Sequence, residues 1–202
     1  EGVGDIKVTG NYAFKKEEKD WGAQEFALTL GLMLPTGSID EKGVTPMSSG
    51  VAVQSPYPMQ LGSGTYDLVL GLTYLGFSER WYWGVQGMAT VRTGENDRNY
   101  TLGDTLNIKG WLTRAWSDSC STYAELDATS SGNIDGTDNS LNASTVPTAD
   151  PNRRASSRLM LSVGADLIAT KGALKNQRIA IEFGKPFYQD LDGRQLKKHC
   201  VS

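Results

Sequence analysis

The stretch TYDLVLGLTYLG, residues 65–76, alternates strictly: Tyr66, Leu68, Leu70, Leu72 and Tyr74 fall on one side, and Thr65, Asp67, Val69, Gly71 and Thr73 on the other. A period of two marks an extended strand, because successive side chains of a pleated backbone point to opposite faces. The pattern returns about eight times along the chain. DIKVTGNYAF groups Ile6, Val8, Tyr12 and Phe14, and EFALTLGLML groups Phe26, Leu28, Leu30, Leu32 and Leu34. WYWGVQGMATV carries Trp81, Trp83, Val85 and Val91, and LNIKGWLT carries Leu106, Ile108 and Leu112. CSTYAELDA is the weakest instance, with Cys120, Thr122, Ala124, Leu126 and Ala128; RLMLSVGADL and RIAIEFGKPF close the series. Helical spacing is nowhere sustained beyond about one turn. The expectation is an all-β chain, one domain over residues 1–202.

The second face of these strands is charged. It collects Lys7, Asp67, Arg92, Lys109, Glu125, Asp127, Arg158, Asp166, Arg178 and Glu182, together with Asp5, Asn11, Glu25, Gln86 and Asn107. In a soluble sandwich such a face meets water and the apolar face is enclosed; in a transmembrane barrel the apolar face meets lipid and the charges line the interior. Alternation alone fits both. It does fix register, since slipping RIAIEFG by one residue would move Arg178 and Glu182 to the apolar side, and an arginine on a lipid face costs about 2–4 kcal/mol near mid-depth.

Connection lengths separate the two. A moderate KKEEKDWGA precedes the long 36–64 segment, short FSER precedes TGENDRNYTLGD, short SDS precedes the long 130–156 segment, and TKGALKNQ follows. Long loops on every second connection are the habit of an antiparallel up-and-down transmembrane β-barrel, with short turns on one side of the membrane and long loops on the other; a Greek-key sandwich has no such reason. Strands of about ten residues suit a tilted bilayer crossing. Tyr66, Tyr74, Trp81, Trp83, Trp116 and Phe187 sit largely near strand ends, where interfacial aromatics are expected, although cross-strand aromatic pairing would also put rings there.

Composition excludes more than it identifies. With 20 basic and 23 acidic residues, net −3, the chain offers no electropositive surface for nucleic acid. No apolar run reaches the length of a membrane-spanning helix. The only histidine, His199, lies in the C-terminal tail, so a serine–histidine hydrolase has no base within the repeated strands, and no enzyme, cofactor or metal is expected. Cys120 and Cys200 make no metal set and are expected to be unpaired thiols, and Met47 and Met59 are too few for a soft-metal site. Asp135, Asp138 and Asn139 in NIDGTDNS lack the downstream glutamate of a calcium loop and fit turn chemistry. KKEEKD reads as a solvated turn. Glycines within strands, such as Gly71, Gly84, Gly87 and Gly164, weaken them unless a bulky neighbour such as Trp83 or Trp111 crosses the next strand.

Several segments, GVGDIKVTGNYAF, LMLPTGSID, SPYPMQLGSGTYDLVLGLTYLG, YTLGD, GNIDGTD, VPTADP and PFYQDLDGRQL, resemble in the same order the Gram-negative outer-membrane proteins of a family named for the meta-pathway of phenol degradation, labelled as transporters. The resemblance implies an outer-membrane barrel acting as a channel or porin-like transporter. Its partners would be the lipid bilayer and a small-molecule solute, aromatic or otherwise hydrophobic if the family label is a guide. Relatives carry a leader and further strands before the point matching Glu1 and end in an amphipathic strand where this sequence reads LKKHCVS, so both ends look cut or diverged. The chain then closes as about eight strands or forms part of a larger barrel. In a wider barrel the charged face lines a lumen of mixed sign suited to small polar or zwitterionic solutes; in a narrow one the charges pair across a filled interior. A non-transporting structural or assembly-forming β protein is the alternative.

Overall fold

The protein is described here by a computed structural model covering residues 2–44, 48–171 and 175–192. In chain order, β1 (Ile6–Lys19) and β2 (Gly22–Leu34) are followed by a small hairpin of β3 (Lys42–Val44) and β4 (Ala52–Gln54). Then come β5 (Tyr66–Phe77), β6 (Trp81–Thr93), the two-residue β7 (Tyr100–Thr101), β8 (Thr105–Ser117) and β9 (Cys120–Ser131). The two-residue β10 (Asp135–Gly136), β11 (Ser156–Ile168) and β12 (Arg178–Leu191) complete the series. Among the described residues helix is confined to three single 3₁₀ turns.

The eight long strands form one antiparallel sheet in the order β1-β2-β5-β6-β8-β9-β11-β12, so spatial order follows chain order. In such a meander alternate connections share an end. The short turns 20–21, 78–80 and 118–119 and the link from β11 to β12 join strands at one end, and the long connections that follow β2, β6 and β9 join them at the other. The first turn is only Asp20–Trp21 because Gly22 follows at φ 141°, where a side chain would strike the Phe77 carbonyl.

Two sequence expectations change. All of KKEEKD but its last residue is strand rather than turn: β1 runs on to Lys19, its charges held by Lys15–Glu17 (3.1 Å), Lys19–Glu17 (3.0 Å) and Lys16–Glu25 (2.9 Å), with a bulge between Ala13 and Lys15. The sheet is also not a closed barrel. β1 and β12 lie at its two edges and do not pair with each other. Alternation specifies faces and register, but closure depends on tilt and stagger, which no single strand encodes.

The sheet has almost no apolar core. Among the described residues the buried hydrophobic ones are Tyr57, Val69, Tyr100, Ile134 and Ala149, and of these only Val69 belongs to a long strand. The others sit in the long connections, where Tyr57 and Tyr100 pack edge to face at 4.8 Å with Ile134 against Leu102 and Leu141. The three long connections therefore fold on one another into a cap at their end of the sheet.

Candidate functional site

Register pairs place side chains on common faces. Lys7, Met33, Asp67 and Arg92 form one cross-strand row, through Lys7↔Met33, Met33↔Asp67 and Asp67↔Arg92. Lys109 shares a row with Asp127, Arg158 with Thr129 and Asn107, and Glu125 with Ser162. Asp166 faces Ala180, Glu182 faces Gly164, and Arg178 faces Ile168. All ten charged candidates thus share one face.

That face is the shielded one along β5. Asp67 and Val69 are fully buried, whereas Leu68, Leu70 and Leu72 on the other face are 42%, 41% and 54% exposed. A buried carboxylate is stable only if paired and hydrogen-bonded. Asp67 meets both needs: it pairs with Arg92 and accepts a hydrogen bond from the Thr65 hydroxyl at 2.7 Å. Arg92 also reaches the Met33 sulfur at 3.8 Å, and its backbone N–H donates to Asp104 at 2.8 Å.

Further along, Lys109 pairs with Glu125 at 2.8 Å and reaches Asp127 at 3.8 Å. Asn107 donates to Asp127 (3.1 Å) and Thr129 (2.9 Å). Arg178 donates to Asp166 at 2.9 Å, and the Tyr123 hydroxyl donates to Glu182 at 2.6 Å. The last contact spans two strand spacings, from β9 to β12, because Gly164 of the intervening β11 leaves room: a Cβ there would lie 2.3 Å from the Tyr123 ring. Lys7 and Arg158 are exposed and make no ion pair among the described residues. Most of the charges are therefore neutralised by neighbours, leaving a polar surface of mixed sign with little net field.

The opposite face carries the six aromatics expected at strand ends. Tyr66 stands at the cap end, 63% exposed, and Phe187 marks a bulge in β12 at the same end. Tyr74, Trp81, Trp83 and Trp116 gather toward the short-turn end. There Phe14, Phe26 and Tyr74 form a chain of rings with centroids 6.2 and 4.9 Å apart, and Trp21 meets Trp83 at 5.4 Å. Trp83 lies over Gly76 and Trp111 over Gly84, where a Cβ would come within 2.1 and 2.4 Å of the indoles. Trp111 belongs to the polar face, sharing the Glu125 row.

Sequence reasoning missed the cap. Arg98 holds it, pairing with Asp40 of the first long connection at 2.5 Å and Asp138 of the third at 3.1 Å. Burial opposes the Arg98 charge, but the two carboxylates outweigh it and raise its pKa further. Asp138 also accepts from Ser140, as a turn-building aspartate does, and its own backbone N–H donates to the Tyr57 hydroxyl at 3.1 Å. NIDGTDNS is accordingly turn chemistry that locks loops together. A tyrosine flanked by prolines in SPYPM was the one available hint of a buried loop residue. Among the described residues no three of His, Cys, Asp and Glu cluster to hold a metal. Cys120 opens β9 and Met59 is exposed, while His199, Cys200 and Met47 lie outside the described residues.

Compared with models of known protein families and with curated proteins, the chain matches none.

Proposed function

We propose that this sheet is part of the wall of an outer-membrane β-barrel that passes small molecules, with the leucine face toward lipid and the ion-paired face toward the interior. One observation carries the reading. Within a single strand Asp67 is fully buried while Leu68, Leu70 and Leu72 stand open, the reverse of what water selects. The same inversion extends across the inner strands through Leu28, Leu30, Leu32, Val85, Leu106, Ile108, Leu126 and Val163, all substantially exposed. Strands of 12–14 residues are long enough to cross a bilayer at a tilt, and the segregation of turns from long connections suits the two sides of a membrane. Free edges are not tolerated in hydrocarbon, so on this reading β1 and β12 each pair with a further strand. A barrel widened in that way has room for an aqueous path, and its mixed charge favours small polar or zwitterionic solutes without strong ion selectivity. The resemblance to the transporter family of the phenol meta-pathway supports the same reading and adds aromatic compounds as candidate solutes.

A second reading rests on a different observation: β1 and β12 are each 14 residues long with both faces largely exposed, which suits strand addition between copies of a structural, assembly-forming protein. Flotation with phospholipid vesicles and conductance across a planar bilayer separate them. A channel floats and conducts; a protein that stays in the aqueous phase as a polymer of defined size supports assembly.

A further inference from the structure

We propose that the outer face carries a binding site for one glycerophospholipid at the short-turn end, the phosphate on Arg114 and an acyl chain in the cleft beside it; the site rests on the membrane reading above. Trp81, Arg114 and Thr122 share a row, which puts Arg114 among the apolar residues rather than on the charged face. Its guanidinium carbon lies over two indoles, 5.1 Å from the Trp81 centroid and 3.9 Å from that of Trp116. Trp116 is itself fixed by its indole N–H donating to Thr122 at 2.9 Å and by Arg80 donating to its carbonyl at 2.9 Å.

Stacking occupies the faces of a guanidinium and leaves its in-plane N–H donors free. Those donors have no hydrogen-bond acceptor and no carboxylate partner among the described residues. Lys15, another cation on the outer face, differs in being paired with Glu17. An unpaired, oriented arginine at the level of an aromatic belt has the geometry for two parallel bonds to a phosphate diester. Trp81 is also one wall of an open, almost wholly apolar cleft of about 380 Å³, lined further by Trp21, Trp83, Leu112 and Ser78. Phosphate donors and a hydrocarbon slot thus adjoin through one side chain, which matches a headgroup joined to its acyl chain.

The test titrates the full-length protein in detergent micelles with phosphatidylglycerol, with diacylglycerol of the same chains and with inorganic phosphate, counting bound lipid by native mass spectrometry. Wild type is expected to hold one phosphatidylglycerol and to prefer it to diacylglycerol by about tenfold; Arg114→Gln abolishes that preference, and Lys185→Gln, which removes a cation elsewhere on the same face, leaves it intact. Heat-modifiable migration of each variant on a gel establishes that it has folded. An unchanged preference in folded Arg114→Gln overturns the site while leaving the membrane reading standing. Inorganic phosphate binding as tightly as the lipid overturns the acyl slot. Failure of the wild type to float with vesicles removes both.

Discussion

Replacing Leu72 by arginine asks directly which solvent the leucine face meets. Leu72 lies half a residue from the middle of β5 (Tyr66–Phe77), within about 2 Å of mid-strand at roughly 3.3 Å per residue, and is flanked by Leu28 and Gly87. Its side chain is 54% exposed, so an arginine enters without steric conflict and only the surroundings decide the cost. In hydrocarbon near mid-depth that cost is about 2–4 kcal/mol, a fall of roughly 30-fold to 1,000-fold in the folded-to-unfolded ratio. In water the same change at a half-exposed position stays within about 0.5 kcal/mol. Urea unfolding of protein reconstituted in phospholipid vesicles, followed by tryptophan fluorescence, measures the difference. Met59→Arg, at a 65% exposed position in the first long connection, is the reference and is expected to be neutral within about 0.5 kcal/mol. A Leu72→Arg protein as stable as wild type refutes the assignment of this face to lipid.

Asp67→Asn strands the Arg92 guanidinium, which is 15% exposed, and is expected to destabilise by about 3–5 kcal/mol; Asp67→Asn with Arg92→Met recovers much of that, and additive losses would show that the pair is not coupled. Gly84→Ala puts a methyl against the Trp111 indole and is expected to cost about 1–3 kcal/mol, whereas Gly87→Ala, with nothing within 4 Å, stays near neutral; equal effects at both sites would remove the packing explanation. Burial raises the Tyr100 phenol above its usual pKa of about 10, so folding favours the neutral form. Its contribution to the cap is complete below that usual value and is lost as pH rises through the raised one. Proteolytic cutting within 94–104 and 132–155 should therefore accelerate only above about pH 10, and acceleration already near neutrality would contradict a buried phenol.

The faces were legible in the sequence because each strand side sees one environment over its whole length, so a period of two carries both the secondary structure and the grouping of Lys109 with Glu125 and Asp127. Strand ends were less legible. Lys15–Lys19 looks like a polar turn, since a strand end whose charges pair with one another shows no apolar alternation. The cap was not legible, because Tyr57, Tyr100 and Ile134 come from separate connections without any periodicity, and their packing is joined by Arg98 bridging Asp40 and Asp138, a contact no local pattern encodes. Closure of the sheet was not legible either, as β1 and β12 carry the same alternation that a closed barrel would need.

The most direct test of the inverted sheet is a nitroxide scan along residues 66–74 of β5 in reconstituted protein, reading collision with oxygen, which concentrates in lipid, against a water-soluble nickel chelate. Oxygen contact is predicted to peak at 68, 70 and 72 and to dip at 67, 69, 71 and 73. Chelate contact peaking at the leucine positions would contradict the account.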